Sequence, residues 1–226
     1  MNKRMIQNEI KDNKVRGEIL SPQDTRQKYV DDKRIVLTLD AGGTKLEFSA
    51  LTGKSIKVPP FILPASPDNL DSYLESLTRG FNRTLEILGN DRKKVAAISF
   101  GFPGPALYEQ GIIGDLPNLP AFRGGVALKR FLEKEFHLPV FINNDGNLFA
   151  LGEWIHGFLP WVNHTLAKKG KKKQYKNLIG LTLGTGFGCG IVINGTPIIG
   201  DNSAGGEIWL TRNKKKPGYN VESGVG

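Results

Sequence analysis

The sequence has little cysteine and no long apolar segment. Cys189 is its single cysteine among 226 residues, which excludes an internal disulfide and a metal cage built from cysteines alone. No apolar run reaches the roughly 18 residues that a membrane-spanning helix needs, so we expect no membrane partner. The N-terminus is polar and lacks the apolar core of a signal peptide, and we therefore expect a cytoplasmic protein.

The length and composition are those of an ordinary globular protein. The chain is 39% hydrophobic and 23% charged, and its length allows one or two domains with a buried core. Residues 1–33 are polar, carry both charges and are interrupted by Pro22. We interpret them as an N-terminal extension that is too short for a helix-turn-helix domain.

The excess positive charge is concentrated in two short segments. A net charge of +9 raises the question of a nucleic-acid partner. Six lysines fall within residues 168–176, and Lys214–Lys216 adds three more. Aromatic residues do not alternate with these lysines as a base-stacking surface requires. We therefore predict solvated loops and no nucleic-acid partner.

A glycine-rich turn follows the first apolar strand. Residues 35–39 predict a buried strand that ends at Asp40, and residues 46–50 alternate as a returning strand. Between them, the glycines of Ala41-Gly42-Gly43-Thr44-Lys45 let the backbone approach a ligand closely. Successive N–H groups in such a turn, with the Thr44 hydroxyl and the Lys45 charge, form an anion site. A plain hairpin is the alternative.

The same arrangement recurs near the C-terminal end of the sequence. Residues 178–183 predict a buried strand, residues 184–190 a glycine-rich turn that includes Gly184, Thr185 and Gly186, and residues 191–193 a returning strand. Asn194-Gly195 then predicts a hairpin with residues 196–199. Two such units suggest a duplicated fold with one phosphate-binding turn from each half.

Helices and further strands separate the two turns. Ser66-Pro67-Asp68 predicts a helix start, and the apolar spacing from residue 70 to residue 88 predicts that this helix is amphipathic. A second amphipathic helix is predicted over residues 128–136. Residues 95–100 predict a strand that ends in the loop Gly101-Phe102-Pro103-Gly104-Pro105, which is either a rigid turn or a substrate wall.

The stretch Val140–Asn147 connects the two halves. A short apolar strand runs into Asn143, Asn144 and Asp145, and residues 148–157 predict a helix. A carboxylate at the end of a buried strand and beside a helix start lies where small substrates can reach it. We predict that Asp145 is a general base, and the alternative is that it caps the helix.

Five ordered motifs within residues 34–211 resemble the ROK sugar kinases (repressor, open reading frame, kinase). They are Asp40-Ala41-Gly42-Gly43-Thr44-Lys45, Gly101-Phe102-Pro103-Gly104, Asn144-Asp145 with Gly152-Glu153, Leu183-Gly184-Thr185-Gly186, and Ala204-Gly205-Gly206-Glu207-Ile208. The resemblance implies an α/β, actin-like ATPase (ribonuclease H-like) fold with two lobes and with ATP and a sugar in the cleft. Residues 34–142 would form the first lobe, and residues 143–226 an incomplete second lobe.

The resemblance also implies roles for individual residues. Asp145 would take the proton from a sugar hydroxyl, and Asp40 would hold Mg²⁺ through water. The residues implied in sugar binding are Asn144, Glu207, Gly104, Asn118 and, as a candidate for a second glutamate, Glu222. Those implied in nucleotide binding are Gly42, Gly43, Thr44, Lys45, Gly184, Thr185 and Gly186.

The sequence departs from the family pattern at two places. The family has a histidine three residues after the glutamate that Glu207 resembles, followed by a cysteine-rich zinc loop, but here Leu210 stands at that position and no cysteine follows. We therefore expect no zinc and one altered sugar contact. The chain also ends at Gly226, before the helices that complete the second lobe in related kinases.

These features lead to a hypothesis with two alternatives. We predict an ATP-dependent kinase of a hexose or N-acetylhexosamine, of the glucokinase type, and the resemblance implies a homodimer. A sugar-binding protein or kinase fragment without catalytic activity is the first alternative. A sugar-responsive transcriptional regulator is the second, and it is disfavoured because residues 1–33 cannot supply its DNA-binding domain.

Overall fold

The computed structural model of the protein describes residues 27–42, 44–104, 106–114, 116, 119–183 and 186–212. The strands are β1 (Ile35–Ala41), β2 (Lys45–Leu51), β3 (Ile56–Pro64), β4 (Val95–Phe102), β5 (Ala106–Leu107), β6 (Ile112–Ile113), β7 (Val126–Ala127), β8 (Val140–Asn144), β9 (Asn177–Leu183), β10 (Phe187–Ile193) and β11 (Thr196–Pro197). The helices are α1 (Leu70–Leu88), α2 (Leu128–Phe136), α3 (Asp145–Ile155) and α4 (Phe158–Lys168). None of these helices combines the length and the apolar character that crossing a membrane requires.

A five-stranded sheet with the order β3-β2-β1-β4-β8 forms the larger part of the fold. β1 pairs antiparallel with β2 and parallel with β4, and β4 pairs parallel with β8. The predicted strands at residues 35–39, 46–50 and 95–100 are therefore confirmed. β3 was not predicted, because Pro59 and Pro60 interrupt its apolar pattern. It lies at the edge of the sheet, where proline is tolerated since no further strand needs its missing N–H.

Helix α1 covers one face of this sheet. Its apolar stripe buries Tyr73, Leu77 and Phe81 against the inward-facing side chains of β1 and β2. Phe81 meets the Phe48 ring edge to face, with 5.2 Å between the ring centroids. The helix begins one turn later than expected from Ser66-Pro67-Asp68, because the side chain of Asn69 accepts a hydrogen bond from the Ser72 N–H at 2.9 Å and caps it.

A three-stranded sheet with the order β11-β10-β9 lies against helix α3. Strands are present where they were predicted at residues 178–183 and 191–193, but the prediction that the first of them is buried is wrong, because one face of β9 is exposed. The hairpin partner strand is limited to β11. Glycines allow the helix to come close, since a Cβ at Gly180 would lie 3.1 Å from the Ala150 Cβ. At Gly190 a Cβ would collide with the Gly146 carbonyl oxygen. α3 and β10 therefore pack almost backbone to backbone.

Two smaller parts complete the fold. Strands β5, β6 and β7 form a second three-stranded sheet, and helix α2 contacts both it and β8. The helical turn at residues 27–30 packs on the loop after β2, where a Cβ at Gly53 would collide with the carbonyl oxygens of Tyr29 and Val30. The end of the predicted N-terminal extension thus contacts the first sheet, while residues 1–26 lie outside the described part.

Candidate functional site

Three neighbouring strands of the five-stranded sheet end at the same edge. Asp40 of β1 pairs with Gly101 of β4, and Gly101 pairs with Asn143 of β8. Adjacent strands lie about 4.8 Å apart, so the ends of β1 and β8 are separated only by Gly101. A Cβ at Gly101 would lie 3.0 Å from the Asp145 Cα. The absence of a side chain there lets Asp145 pack directly beside β4.

Asp145 is the first residue of helix α3, and it is not the cap. The cap is Asn144, whose side-chain oxygen accepts a hydrogen bond from the Asn147 N–H at 3.2 Å. The interpretation of Asp145 as the cap is therefore wrong, and the helix begins three residues earlier than predicted. The exposed Asp145 carboxylate accepts a hydrogen bond from the Gly146 N–H at 2.9 Å. The N-terminus of a helix is a favourable place for this negative charge.

Polar groups from three segments converge at Gly104, in the loop after β4. A Cβ at this position would lie 2.5 Å from the Tyr108 hydroxyl, 3.2 Å from the Asn144 Nδ2 and 3.3 Å from the Glu207 Oε1. Asn144 belongs to the first sheet, whereas Glu207 follows the second sheet in the sequence. The fold therefore brings together three residues that the sequence predicted for sugar binding, namely Asn144, Glu207 and Gly104.

Tyr108 connects these groups and was not predicted from the sequence. Its hydroxyl donates to the Phe102 carbonyl at 2.9 Å and accepts from the Asn144 Nδ2 at 3.4 Å. Burial raises the pKa of Tyr108 well above its ordinary value, and the nearby carboxylates of Asp145 and Glu207 act in the same direction. The phenol is therefore a neutral donor that fixes the loop after β4 and the Asn144 amide. No periodicity or motif around position 108 signals this role.

The segment that carries Glu207 is held against the second sheet by glycines. A Cβ at Gly206 would lie 2.5 Å from the Cys189 carbonyl oxygen, and one at Gly205 would lie 2.6 Å from the Ile198 carbonyl oxygen. Gly206 has a φ of +94°, a conformation that favours glycine. The chain then forms a 3₁₀ turn at Ile208–Leu210. This packing leaves Glu207 facing the residues at the end of β8.

Trp209, which the sequence analysis did not single out, contacts Glu207. Its indole Nε1–H donates a hydrogen bond to the Glu207 Oε2. Leu210, which stands where the ROK pattern has a histidine, is 53% exposed and has no polar group to offer a sugar. The altered sugar contact stays a prediction, and the donor that this segment contains is the neighbouring tryptophan.

The first glycine-rich turn is closed by its own backbone and held by helix α1. The Gly42 N–H donates to the Lys45 carbonyl at 3.0 Å, and a Cβ at Gly42 would lie 2.8 Å from that oxygen. The buried Tyr73 donates its hydroxyl proton to the Gly42 carbonyl at 3.2 Å, and burial raises the pKa of Tyr73 well above its ordinary value. Thr44 and Lys45 remain exposed beside Asp40, which is also exposed.

The second glycine-rich turn lies at the same end of the molecule as Asp145. Gly146 in the first turn of α3 lies beside Cys189, and Trp154 in its last turn lies beside Gly195. Helix and strand therefore run in the same direction, and the helix N-terminus points to the start of β10, which Gly186 directly precedes. Five residues of the predicted site lie outside the described part: Gly43, Asn118, Gly184, Thr185 and Glu222.

Asp40 offers a magnesium ion a carboxylate at the first turn. Within the described ranges, no three histidine, cysteine, aspartate or glutamate side chains are grouped closely enough to hold a metal ion together. Asp40 is exposed at the end of β1, next to the exposed Thr44 and Lys45 of the first glycine-rich turn. Mg²⁺ is commonly held by one or two carboxylates together with phosphates and waters, so this donor set fits it.

Comparison with known proteins connects this geometry to a family. The chain is 31% identical over 173 residues to an N-acetyl-D-glucosamine kinase of Photobacterium profundum, and the alignment covers 76% of this chain and 51% of that protein. It is 31% identical over 171 residues to a glucokinase of Halalkalibacterium halodurans, covering 75% of this chain and 47% of that one. The chain thus spans about half the length of these relatives.

A solved structure is also similar to this chain over about half of its own length. The crystal structure of a glucokinase from Parabacteroides distasonis superimposes with a TM-score of 0.75 and 56% sequence identity, covering 86% of this chain and 54% of that chain. The fold is therefore part of the actin-like ATPase fold of the ROK sugar kinases, as predicted. The ROK family pattern itself matches residues 36–213, which include Asp40, Gly104, Asp145 and Glu207. On this evidence the chain belongs to the ROK family.

Proposed function

We propose that this protein acts in the ATP-dependent phosphorylation of a hexose or N-acetylhexosamine hydroxyl. The convergence at Gly104 carries the proposal: the Asn144 amide and the Glu207 carboxylate meet within about one hydrogen-bond length of the same point, beside Asp145. A polyhydroxylated ligand matches this arrangement, because an amide donates and accepts while a carboxylate accepts from hydroxyl groups.

In the proposed reaction, the carboxylate of Asp145 accepts the proton of the reacting sugar hydroxyl. The hydroxyl oxygen forms a bond to the γ-phosphorus of ATP while the bond to the β-phosphate oxygen breaks, so that ADP leaves. In such a transfer the protein mainly positions the reactants and neutralises charge. Asp145 is exposed at the start of α3, where an incoming hydroxyl can reach its carboxylate.

The two glycine-rich turns are the proposed phosphate sites. In the first, Gly42, Thr44 and Lys45 would contact the phosphates, and in the second Gly186 would do so with its undescribed neighbours. A magnesium ion held by Asp40 and by phosphate oxygens would neutralise negative charge on the transferred group. The geometry that supports this assignment is the common edge at which β1, β4 and β8 end.

Replacement of Asp145 by asparagine tests the proposal. Coupled measurement of ADP release with glucose, N-acetylglucosamine, N-acetylmannosamine and fructose gives the turnover, and calorimetry gives the sugar affinity. We expect Asp145→Asn to lower turnover by about 10²–10⁴-fold, the usual contribution of a positioned base, with little change in sugar affinity. Unchanged turnover would show that Asp145 is not the base.

Asp91→Asn is the matched control. Asp91 is an exposed carboxylate that pairs with Lys94 at 2.8 Å, just before β4 begins and therefore at the opposite end of the sheet from Gly101. The same chemical change there removes one solvent-exposed ion pair, which contributes little to stability. Turnover of this variant should equal that of the unaltered protein.

Sugar binding without phosphoryl transfer is the second candidate. It is favoured by the convergence of the proposed sugar-site residues Asn144, Gly104 and Glu207 within the described part of the chain. Calorimetry with each sugar, with and without Mg·ATP, separates the two: sugar binding with no nucleotide binding supports this candidate. A homodimer and a cytoplasmic location stay predictions from the sequence.

A further inference from the structure

Glu207 is held by a donor within its own segment. The Trp209 indole Nε1–H bonds the Glu207 Oε2, while the Glu207 Oε1 lies near Gly104, 3.3 Å from where a Cβ would be. The two oxygens of one carboxylate therefore have different surroundings. One is occupied by the indole, and the other faces the space that it shares with the Asn144 amide.

The local backbone produces this pairing. Glu207 and Trp209 are two residues apart, and the 3₁₀ turn at Ile208–Leu210 brings their side chains together, with the Leu210 N–H donating to the Glu207 carbonyl at 3.2 Å. An indole N–H can only donate, and a carboxylate oxygen can accept that hydrogen bond. A hydrogen bond to a charged group is also stronger than one between neutral groups.

We propose that Trp209 is a positioning residue that fixes the Glu207 carboxylate for sugar binding. The indole takes Oε2, and this leaves Oε1 as the acceptor for a sugar hydroxyl whose oxygen can in turn accept from the Asn144 Nδ2. Without the indole, the glutamate side chain is free to rotate, and part of the binding free energy is spent on ordering it. The inference rests on the proposed function, since it concerns the same sugar site.

Three variants test the role of Trp209 in sugar affinity. Trp209→Phe keeps an aromatic ring but removes the N–H, and Trp209→Gln restores a donor on a flexible side chain. Trp161→Phe makes the same change at an exposed tryptophan of α4. By calorimetry with the sugar that the unaltered protein binds best, we expect Trp209→Phe to bind about tenfold more weakly. Trp209→Gln should recover part of this loss, and Trp161→Phe should bind normally.

The contact itself is measured separately by NMR of the indole N–H groups. The protein has three tryptophans, and the single-site variants assign their resonances. We expect Glu207→Gln, which replaces the charged acceptor by a neutral amide, to shift the Trp209 resonance and to leave the other two indole resonances unchanged. This measurement needs no bound sugar, so it reports on the contact even if no sugar binds.

The outcomes are distinguishable. Normal sugar affinity of Trp209→Phe, or a Trp209 resonance that does not respond to Glu207, overturns the inference while leaving the proposed function intact. If the unaltered protein binds no sugar in the panel, the proposed function fails and the positioning role fails with it, whatever the NMR shows. A tenfold loss together with the coupled resonance supports both.

Discussion

The two sheets of this protein differ in how completely their surfaces are covered. On the five-stranded sheet, the apolar side chains of one face are buried under α1, and the opposite face of β1 and β4 carries residues such as Thr38 and Ser99. The sheet that contains β9 and β10 buries only a small cluster against α3 and α4, made of Ala150, Trp154, Leu159 and Val192. Its other face exposes the large apolar side chains of β9: Ile179, Leu181 and Leu183.

This difference indicates that the first sheet has an extensive core and that the core of the second is small. Large exposed apolar surfaces on folded proteins usually mark contacts with another segment or molecule. The proposed site draws on both regions, because Asn144 comes from the first and Glu207 follows the second. The region around the second sheet, which holds Glu207, is therefore the less well stabilised of the two.

Matched leucine truncations test the comparison and should give the largest effects. Leu77 is fully buried under the first sheet, and Leu159 is buried in the small cluster. We expect Leu77→Ala to lower the free energy of unfolding by about 3–5 kcal/mol, and Leu159→Ala by about 2 kcal/mol, since a sparsely packed site relaxes more easily around the lost atoms. Urea denaturation followed by circular dichroism measures both.

Equal losses in the two variants would contradict the comparison. Tryptophan fluorescence adds a second readout, because Trp154 belongs to the small cluster. If the second region is the weaker one, the signal from Trp154 changes at a lower urea concentration than the circular dichroism of the whole protein. A single coincident transition would mean that the two regions unfold together.

Glycine-to-alanine changes test the same difference between the two sheets and should have intermediate effects on stability. A Cβ at Gly190 would collide with the Gly146 carbonyl oxygen and push α3, with Asp145 at its start, away from β10. A Cβ at Gly80 would collide with the Phe48 ring in the first core. Overpacking of this kind costs about 1–3 kcal/mol, and at Gly80 the better helix propensity of alanine offsets about 1 kcal/mol of it.

The two glycine variants should separate stability from function. We expect Gly190→Ala to weaken sugar binding and turnover, because it displaces the helix that carries Asp145 and that Asn144 caps, whereas Gly80→Ala should affect stability alone. Denaturation and calorimetry on the same samples check this. Normal sugar binding by Gly190→Ala would show that the close packing of α3 on β10 does not position the site.

Much of the fold could be predicted from the sequence because its signals are local. Strands such as β1, β4 and β9 are short apolar runs bounded by glycine or polar residues, and α1 shows a clear helical spacing. β3 was not predicted because it contains Pro59 and Pro60. A sheet edge tolerates these prolines, but which strand lies at the edge is known only once the sheet is assembled. The start of α3 was placed too late because Asn144 was not recognised as its cap.

The site was predictable only in part. The motifs indicated Asn144, Asp145 and Glu207, whose roles stay predictions. The residues that hold Asn144 and Glu207 in place were missed. Tyr108 reaches Asn144 across 36 positions of sequence, and Trp209 meets Glu207 in a 3₁₀ turn that has no repeating apolar pattern. Contacts of these kinds depend on how loops pack, which the spacing of residues does not encode.

The exposed face of β9 should have the smallest effect on stability and a clear effect on association. β9 is the outer strand of its sheet in the described part, with Ile179 67% and Leu183 75% exposed. An exposed apolar edge strand invites pairing with another copy. We expect the double variant Ile179→Lys and Leu183→Lys to change the free energy of unfolding by no more than about 0.5 kcal/mol, and to reduce the concentration-dependent association of the protein measured by sedimentation velocity.

Ile62→Lys, at a 53% exposed position on the edge strand of the first sheet, is the control and should leave association unchanged. Association that persists in the double variant would place the uncovered surface elsewhere, and association lost equally in Ile62→Lys would mean that added charge alone is responsible.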